Sequence, residues 1–315
     1  MRILILVILI LVFLVFPDNV FAGGEQIGTT SASFIKVGAG ARPTGMGEAF
    51  TAVSNDINAI QYNPAGIANL RRNELSLIHI EWFQELRYEV LTYGFPIKNS
   101  GVIGIYILYF WTEKMEKLDE TGSSSGEYFR VTGINGILSY ATEPFEKVPL
   151  RAGCNLKIIQ ESLEDVNSSS FAFDIGLQYD LSKVITIGSS IQNISSGMKY
   201  SDKEFQVPKS TNIGMLINFY DSVDYKFLTT IDCNFPNDSE DNIRVGIEYW
   251  FEKFVVRAGY KLKSGGEELG ALAGLKSGLG YRTSFKKGLN YGLDYTFEIL
   301  GDLGFSHRVA LLLFF

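Results

Sequence analysis

From residue 74 to the end of the chain, apolar and polar residues alternate with a period of two. The clearest segments place apolar residues at every second position and mostly polar residues or Gly between them. These apolar sets are Phe171, Phe173, Ile175, Leu177 and Tyr179; Ile243, Val245, Ile247 and Tyr249; and Leu289, Tyr291, Leu293, Tyr295, Phe297 and Ile299. Because successive side chains of a strand point to opposite faces, this pattern predicts a chain built of strands with one apolar face each.

The alternation can be divided into about 14 strands separated by polar or Gly-containing turns. An even number is typical of bacterial single-chain barrels, which join long outer loops with short periplasmic turns. Longer connections are expected at 112–126, 161–170, 197–210 and 236–241. The predicted strands are 74–83, 86–97, 101–111, 127–142, 148–161, 169–181, 184–195, 211–219, 224–234, 242–250, 253–262, 271–284, 288–298 and 303–315.

Alternation alone does not distinguish a soluble barrel with a dry interior from a membrane barrel with an apolar exterior. Tyr, Phe and Trp are frequent near the ends of the apolar faces, as the interface girdles of membrane barrels require. The polar faces combine Arg, Asp, Glu and Gly, which suits a wet or plugged lumen. We therefore predict an all-β fold, a transmembrane antiparallel barrel at residues 74–315.

The two ends of the chain favour the same location. Arg2, the apolar run 3–16 and Val20-Phe21-Ala22 resemble a signal peptide ending at residue 22. The run is about 14 residues long, shorter than the roughly 20 that a spanning helix needs. The last segment alternates and ends on an aromatic residue, a pattern expected of a barrel-assembly signal: Val309, Leu311, Leu313 and Phe315. Together they predict the outer membrane of a Gram-negative-type (diderm) bacterium.

Composition and motifs exclude several functions. The net charge is −7 with no basic cluster, so a nucleic-acid partner is not expected. His79 and His307 accompany no zinc or calcium motif, and no Gly-x-Ser-x-Gly elbow is present, so we expect no metal, no cofactor and no catalytic residues. Cys154 and Cys233 fall on apolar strand positions, which favours unpaired thiols over a disulfide.

Residues 23–73 do not alternate and form a separate segment before the barrel. Its Gly38–Pro43 stretch lacks the Gly-Lys-Ser/Thr ending of a phosphate-binding loop. Met46, Ala49, Phe50 and Val53 have helical spacing, which predicts one short amphipathic helix. A second short helical stretch is expected to end at 63–66.

This segment resembles the N-terminal region of the PorV/PorQ family, which is related to the FadL-type fatty-acid transporters. The matching blocks are 33–43, 45–50 and 62–68, and they include Gly38, Gly40, Arg42, Pro43, Gly45, Met46, Gly47, Ala49, Phe50, Asn63, Pro64, Ala65 and Gly66. The resemblance implies a barrel of 14 strands whose N-terminal segment folds into the lumen as a short helical plug. In this interpretation Asp174, Arg244, Glu248 and Asp294 hold the plug through Arg42, Arg71, Arg72, Glu48 and Asp56.

Two non-enzymatic functions follow from the resemblance. A PorV-like protein would handle exported cargo in type IX-like secretion, with other secretion components as partners. A FadL-like protein would transport hydrophobic small molecules across the outer membrane, with a hydrophobic ligand in the lumen. Outer-membrane lipid and the barrel-assembly machinery are expected partners in both cases. Inward positions are expected to be mostly polar, with Leu216, Leu228 and Trp250 as exceptions, which disfavours fatty-acid passage.

Overall fold

The protein was analysed as a computed structural model that describes residues 28–222, 224–263, 272–284 and 289–315. The predicted signal peptide and the first residues of the plug segment lie outside the described residues. No helix in the described part of the chain is long and apolar enough to cross a membrane.

The wall is a closed antiparallel barrel of 14 strands, as predicted. Each strand pairs with its neighbours along the chain, and the first strand pairs with the last through Glu74↔Phe314 to Glu81↔His307. The barrel strands are β1 (Glu74–Glu81), β2 (Arg87–Ile97), β3 (Gly101–Trp111), β6 (Val131–Thr142), β7 (Leu150–Leu163), β8 (Val166–Asp180), β9 (Ile185–Ser195), β12 (Ser210–Asp221), β13 (Tyr225–Pro236), β14 (Asn242–Phe251), β15 (Phe254–Lys263), β16 (Leu275–Ser284), β17 (Asn290–Ile299) and β18 (Phe305–Phe314).

Two small hairpins lie outside the barrel order. The first pairs β4 (Met115–Leu118) with β5 (Ser124–Phe129), and the second pairs β10 (Met198–Tyr200) with β11 (Lys203–Phe205). The predicted strand 127–142 is therefore wrong at its start, because residues 124–129 belong to the first hairpin. Residues 124–129 pair with β4 and not with a barrel strand, so the barrel strand β6 starts only at Val131.

One predicted connection is also wrong. Residues 161–170 were expected to form a long loop because 167–170 are Asn and Ser. The structure instead extends β7 and β8 until Leu163 pairs with Val166, and a two-residue turn joins them with Glu164 at φ 55°. Polar residues at the outer end of a strand stand above the apolar belt, so they pair as well as apolar ones.

The outer surface of the barrel is apolar, as the alternation predicted. Phe171 is 65% exposed and Leu138 is 54% exposed, whereas the neighbouring inward residues Ala172 and Ser139 are buried. Similar exposed Leu, Ile, Tyr and Phe residues recur on strands around the wall. A closed barrel with an apolar exterior is stable in lipid, because every wall strand is paired and no edge remains. This places the protein in an outer membrane.

The two ends of the barrel differ in their connections. The end that contains Glu74 and Phe314 also carries short turns at 98–100, 181–184, 222–224 and 252–253, with one longer connection at 143–149. The opposite end carries the two hairpins and the loops 82–86, 237–241 and 300–304. Short turns face the periplasm in barrels of this class. We therefore name these the periplasmic end and the outer end.

The predicted assembly signal lies on the lipid-facing side of β18. Val309 and Leu311 are 42% and 41% exposed, while the intervening Ala310 and Leu312 are buried. Phe315 follows the strand, exchanges backbone hydrogen bonds with Asn73 (2.9 and 3.1 Å) and stacks on Tyr93 with ring centroids 6.3 Å apart. Recognition of these residues by the assembly machinery stays a prediction.

Cys154 and Cys233 are unpaired thiols on separate strands, as predicted. Cys154 lies on β7 and is exposed on the outer surface, and Cys233 lies on β13. We expect both to react with a membrane-permeant maleimide without prior reduction. Intact-mass spectrometry should show two adducts on the unreduced protein. A Cys154–Cys233 crosslink would contradict the strand order, because the two strands are not neighbours.

Candidate functional site

The described part of the plug segment, residues 28–73, runs through the lumen from the outer end to the periplasmic end. Near its start, Thr30 Oγ1 donates to Asp238 Oδ2 in the outer loop 237–241 (2.6 Å). Near its end, Asn73 pairs with Phe315 at the periplasmic end. Its regular elements are short: a 3-10 turn (Ser33–Lys36), α1 (Ala41–Gly45), α2 (Ala59–Tyr62) and a second 3-10 turn (Pro64–Asn69). Most residues from 31 to 70 are buried.

The predicted helix over Met46, Ala49, Phe50 and Val53 is wrong. The helix lies earlier, at Ala41–Gly45, and the chain then turns at Gly47 and Glu48, whose φ angles are +68° and +65°. Met46, Ala49, Phe50 and Val53 are all at most 1% exposed. These residues are apolar because the barrel buries them from several sides. Their positions in the sequence happen to match the spacing of the apolar face of an amphipathic helix. Asn63 separates α2 from the second 3-10 turn and accepts the Ala65 N–H at 3.2 Å.

Glycines on the inner wall let the plug backbone approach the strands. At Gly259 of β15 a methyl group would overlap the backbone at Met46 and Gly47, and at Gly47 it would lie 2.7 Å from both Tyr260 N and Val245 O. Only Gly fits a position where two backbones approach so closely. Other wall glycines whose missing methyl group faces plug atoms are Gly94, Gly104, Gly133, Gly153, Gly176, Gly188, Gly214, Gly246 and Gly278. They come from strands around the barrel, so the plug fills the lumen at this level.

Arg42 of the plug makes a two-point contact with the wall. Its Nε and Nη2 donate to Glu248 Oε2 and Oε1, both at 2.8 Å, and its Nη1 donates to Asn55 Oδ1 (2.7 Å) and Asp56 Oδ2 (2.8 Å). Burial alone would lower the pKa of Arg42, but Glu248 and Asp56 raise it above its ordinary value. The guanidinium stays charged and is held in a fixed geometry, as bidentate Arg–carboxylate pairs are.

Two buried chains of ion pairs extend from the plug into β14–β18. In the first chain, Glu248 also accepts from Arg257 (2.7 Å). Arg257 donates in turn to Asp294 (2.9 Å), and Asp294 also accepts from Arg282 (2.6 Å). In the second chain, Glu48 of the plug accepts from Lys276 (2.7 Å). Lys276 also donates to Glu298 (2.8 Å), and Glu298 accepts from Arg308 as well (2.7 Å).

Arg308 closes the second chain back onto the plug by donating from Nε to the Gly38 carbonyl at 2.8 Å. Burial raises the pKa of Glu48, but Lys276 and Arg244 hold it well below its usual range. Each charge in the two chains therefore has a partner of the opposite sign, as burial requires.

The expected polar contacts between plug and wall are partly right. Arg42, Glu48, Arg244 and Glu248 take part, whereas Asp174 and Asp294 bond wall residues instead. Arg71 and Arg72 do not enter the lumen: Arg71 bonds Glu143 at 3.3 Å on the surface, and Arg72 lies over the Phe314 ring at 4.5 Å. Both follow the last turn of the plug, where the chain has already reached the periplasmic end.

The Asn63-Pro64-Ala65 part of the motif lies against β7, β8 and β9. Asn63 Nδ2 donates to the carbonyls of Thr51 (2.8 Å) and Leu177 (3.0 Å), which ties the plug to itself and to the wall. Ser190 Oγ donates to the Tyr62 carbonyl at 2.9 Å. Gly153 and Gly176 leave room for Pro64 and Ala65. The motif residues thus act together as contacts between plug and wall.

Sequence reasoning missed an apolar side of the lumen. The inward faces of β1, β2, β3 and β6 are buried against Phe34, Ile57, Ile60 and Ile67 of the plug in one apolar cluster. The prediction of a mostly polar interior is wrong for these strands. Gly101–Trp111 is apolar on both faces, so alternation could not reveal its inward side. The inward members are Ile78, Ile80, Tyr88, Val90, Val102, Tyr106, Leu108, Phe110, Ile137 and Ala141.

The histidines lie on the outer surface of the wall and face away from the lumen. His79 Nδ1 is 2.7 Å from Glu89 Oε1, and His307 Nδ1 is 2.7 Å from the Tyr295 hydroxyl. In the described ranges, no group of three or more His, Cys, Asp and Glu residues is arranged to hold a metal ion.

Sequence comparison gives a partial family match. The model of the uncharacterised protein family UPF0164 matches residues 24–165, which contain the plug and the strands up to β7. A UPF0164 protein of Treponema pallidum (strain Nichols) is 29% identical over 177 residues, which cover 52% of this chain and 44% of the relative. The chain spans about half the length of the curated relatives it matches.

Solved structures with this fold include outer-membrane channels. The toluene transporter TbuX of Ralstonia pickettii aligns with a TM-score of 0.59 at 13% identity, over 88% of this chain and 97% of TbuX. A FadL homologue of Pseudomonas aeruginosa aligns with a TM-score of 0.52 at 10% identity, over 86% and 97% of the two chains. At this identity the likeness shows the fold. The fold is the one that the sequence resemblance implied, and these comparisons give no support to the PorV/PorQ family in particular.

Proposed function

We propose that the protein is an outer-membrane channel for small hydrophobic compounds. The observation that carries the proposal is the apolar cluster between the plug and β1, β2, β3 and β6. It begins at the outer end, where Trp82, Leu86 and Val131 are only partly buried, and it reaches Val102 and Ala141 near the periplasmic end. Sites for hydrophobic ligands are lined mainly by apolar and aromatic side chains. The fold shared with a toluene transporter agrees with this function.

The opposite side of the lumen does not suit such a compound. There the plug is bonded to β14–β18 by the two buried ion-pair chains, and breaking a buried pair costs about 3–5 kcal/mol. In the apolar cluster the plug is held mainly by side-chain packing, with one hydrogen bond from the Ile57 N–H to Glu74 Oε2 of β1 at 3.1 Å. A hydrophobic guest replaces the packing with contacts of the same kind. We infer that the compound passes along the seam between the plug and β1–β6, while the charged side anchors the plug.

A matched pair of substitutions tests this pathway. Leu108→Asn places an amide in the apolar cluster, whereas Leu228→Asn places one at an equally buried inward position on β13, in a separate cluster. Both residues are 0% exposed, so their costs in stability should be similar. We expect Leu108→Asn to reduce entry of the hydrophobic dye 1-N-phenylnaphthylamine into cells about fivefold or more, because a buried unpaired amide costs about 1–3 kcal/mol. Leu228→Asn should retain the wild-type rate.

Dye fluorescence in a diderm host that expresses equal amounts of each folded barrel would measure entry. Equal entry in the two variants would exclude the seam as the pathway. No gain over cells without the barrel would exclude the channel function itself.

The secretion role implied by the PorV/PorQ resemblance is a weaker candidate. One observation favours it: the β4–β5 hairpin at the outer end is exposed along nearly its whole length, with Leu118 and Tyr128 59% and 62% exposed. Isolated hairpins are marginally stable in water, so a partner would stabilise this one. Co-purification with and without residues 115–129 would test the role, since a cargo protein should be lost with the hairpin.

A further inference from the structure

Unpartnered hydroxyl groups interrupt the apolar wall of the seam. Ser76 of β1, Thr92 of β2 and Tyr106 of β3 occupy inward positions and are at most 2% exposed. Their hydroxyl oxygens have no hydrogen-bond partner in the described part of the structure. Most buried polar atoms of side chains in native proteins have a partner, so three exceptions in one sector of the wall need a physical reason.

The three residues lie side by side across neighbouring strands. In the barrel register Ser76 is opposite Thr92, and Thr92 is opposite Tyr106. Directly opposite residues of an antiparallel pair have Cβ atoms about 4.5–5.5 Å apart. Ser76, Thr92 and Tyr106 thus form one polar row across the seam, which we call the hydroxyl row.

The plug covers this part of the wall with aliphatic side chains. A methyl group at Gly94, the inward residue next to Thr92 on β2, would lie 2.5 Å from Ile57 Cδ1 and 2.8 Å from Leu70 Cδ2. Ile57 and Leu70 belong to the same apolar cluster as Tyr106. Aliphatic groups neither donate nor accept, so the plug fills the space without satisfying the row. A compound reaches the hydroxyls where it replaces these side chains, as transport along the seam requires.

The position of the row favours an uncharged compound. From the outer end, two levels of apolar or aromatic residues come before it, namely Ile80, Tyr88 and Phe110, then Ile78, Val90 and Leu108. The inward positions of β1, β2, β3 and β6 include no Lys or Arg. Glu74, the acidic residue next to the row, already accepts from the Ile57 N–H at 3.1 Å. A charged compound would therefore be buried without a partner on its way, which is costly.

A single hydroxyl group on the compound would suit the row. A hydroxyl both donates and accepts, so it can pair with hydroxyls in either role. A hydrocarbon would leave the hydroxyl row as unpaired as the plug leaves it. A site that hydrogen-bonds a substrate hydroxyl discriminates against the analogue that lacks it, because the buried polar groups of the site then stay unpaired.

We propose that the seam is selective for small hydrophobic compounds that carry one neutral hydroxyl group, such as alkylphenols. The hydroxyl of the compound exchanges hydrogen bonds with the hydroxyl row, and its apolar part packs in the apolar cluster. The row is thus a specificity determinant of the pathway. This inference rests on the proposed transport function and names the class of compound that the seam carries.

Competition for dye entry tests the selectivity with two matched probes. 4-Methylphenol and 1,4-dimethylbenzene have nearly the same shape and differ by a hydroxyl in place of a methyl group. Each is used to inhibit barrel-dependent entry of 1-N-phenylnaphthylamine into cells. The quantity compared is the ratio of the two inhibition constants. A change of this ratio between variants is independent of how each probe partitions into the membrane, because partition is the same in all cells.

Two substitutions remove hydroxyls from the row and keep the shape of the side chain. We expect Thr92→Val and Tyr106→Phe each to shift the ratio against 4-methylphenol by about threefold to tenfold, the equivalent of one net hydrogen bond. Neither substitution takes a partner from another residue, so both barrels should fold. Heat-modifiable migration on gels would verify folding.

Thr230→Val is the matched control. Thr230 of β13 is also an inward threonine, 2% exposed, whose hydroxyl has no partner in the part of the chain that the structure describes. It lies outside the apolar cluster, so its removal should keep the wild-type ratio.

Three results would overturn the hydroxyl row: no inhibition by 4-methylphenol, a ratio unchanged in both Thr92→Val and Tyr106→Phe, or an equal shift in Thr230→Val. In each of them the wild-type barrel still admits the dye, so the transport function would stand. Absence of barrel-dependent dye entry would instead contradict the transport function. The two failures are therefore distinguishable.

Discussion

Removal of residues 24–60 should convert a closed barrel into one that conducts ions. The wall is complete without them, because the 14 strands pair in a closed ring from β1 to β18. The deletion removes Arg42 and Glu48, through which the plug joins both ion-pair chains, and it empties the space beside wall glycines such as Gly188, Gly246 and Gly259. Single-channel recording in planar bilayers would measure the effect. The intact protein should be closed or nearly so, and the deletion should show long open events.

Folding must be verified separately for the deletion, because Glu248 and Lys276 of the wall would each lose a plug partner. Both would keep a wall partner, Arg257 and Glu298, and water in the open lumen would solvate what the plug had contacted. Heat-modifiable migration on gels would show that the barrel has formed. Equal conductance of the folded deletion and the intact protein would mean that the plug does not close the lumen.

Glu248→Gln should release the plug without removing it. Glu248 accepts from both Arg42 and Arg257, and all three side chains are nearly or fully buried. Loss of its charge leaves two guanidinium groups facing a neutral amide, and breaking a buried pair costs about 3–5 kcal/mol. This cost lowers the free energy of local opening of the plug, so hydrogen exchange at residues 41–50 should accelerate by about two to four orders of magnitude. Exchange followed by mass spectrometry would measure it.

Glu146→Gln is the matched control for this substitution. Glu146 is an exposed carboxylate in the periplasmic connection 143–149, so the same chemical change should leave exchange of the plug unaltered. Unchanged exchange in Glu248→Gln would show that the ion pair does not hold the plug. Faster exchange throughout the wall would show that the residue stabilises the barrel as a whole.

The two sides of the lumen differ in how they hold the plug. On the side of β14–β18 the contacts are directional ion pairs such as Arg42–Glu248, which have one good geometry. On the side of β1–β6 the contacts are mainly apolar, for example the stacked rings of Phe34 and Phe110 with centroids 5.6 Å apart. Apolar contacts are non-directional and can be replaced by other apolar groups. This asymmetry would allow a fixed plug and the proposed pathway beside it to fit in one barrel.

The sequence by itself determined the barrel wall. Period-two alternation determines which side chains share a face of a strand. A shift of the register by one residue would point Phe171, Phe173 and Ile175 into the lumen instead of toward lipid. Both the strand number and the lipid-facing side of β8 could therefore be predicted. Gly38, Arg42 and Asn63 were also identified as parts of the motif that the family resemblance assigned to the plug, and Arg42 was expected to pair with a wall carboxylate.

Only the tertiary structure decided what the plug does inside the wall. Met46 and Phe50 have helical spacing, yet the enclosing barrel buries them from several sides and the chain turns at Gly47 instead. The apolar side of the lumen was hidden because β3 is apolar on both faces, so its inward Leu108 and Phe110 do not stand out. Contacts such as Arg42–Glu248 join residues 206 positions apart, and no local pattern specifies such a pair. Alternation in the sequence shows which face of a strand meets lipid and which meets the lumen. Which wall residue pairs with which plug residue depends on the strands that the closed barrel places at the same height as that plug residue.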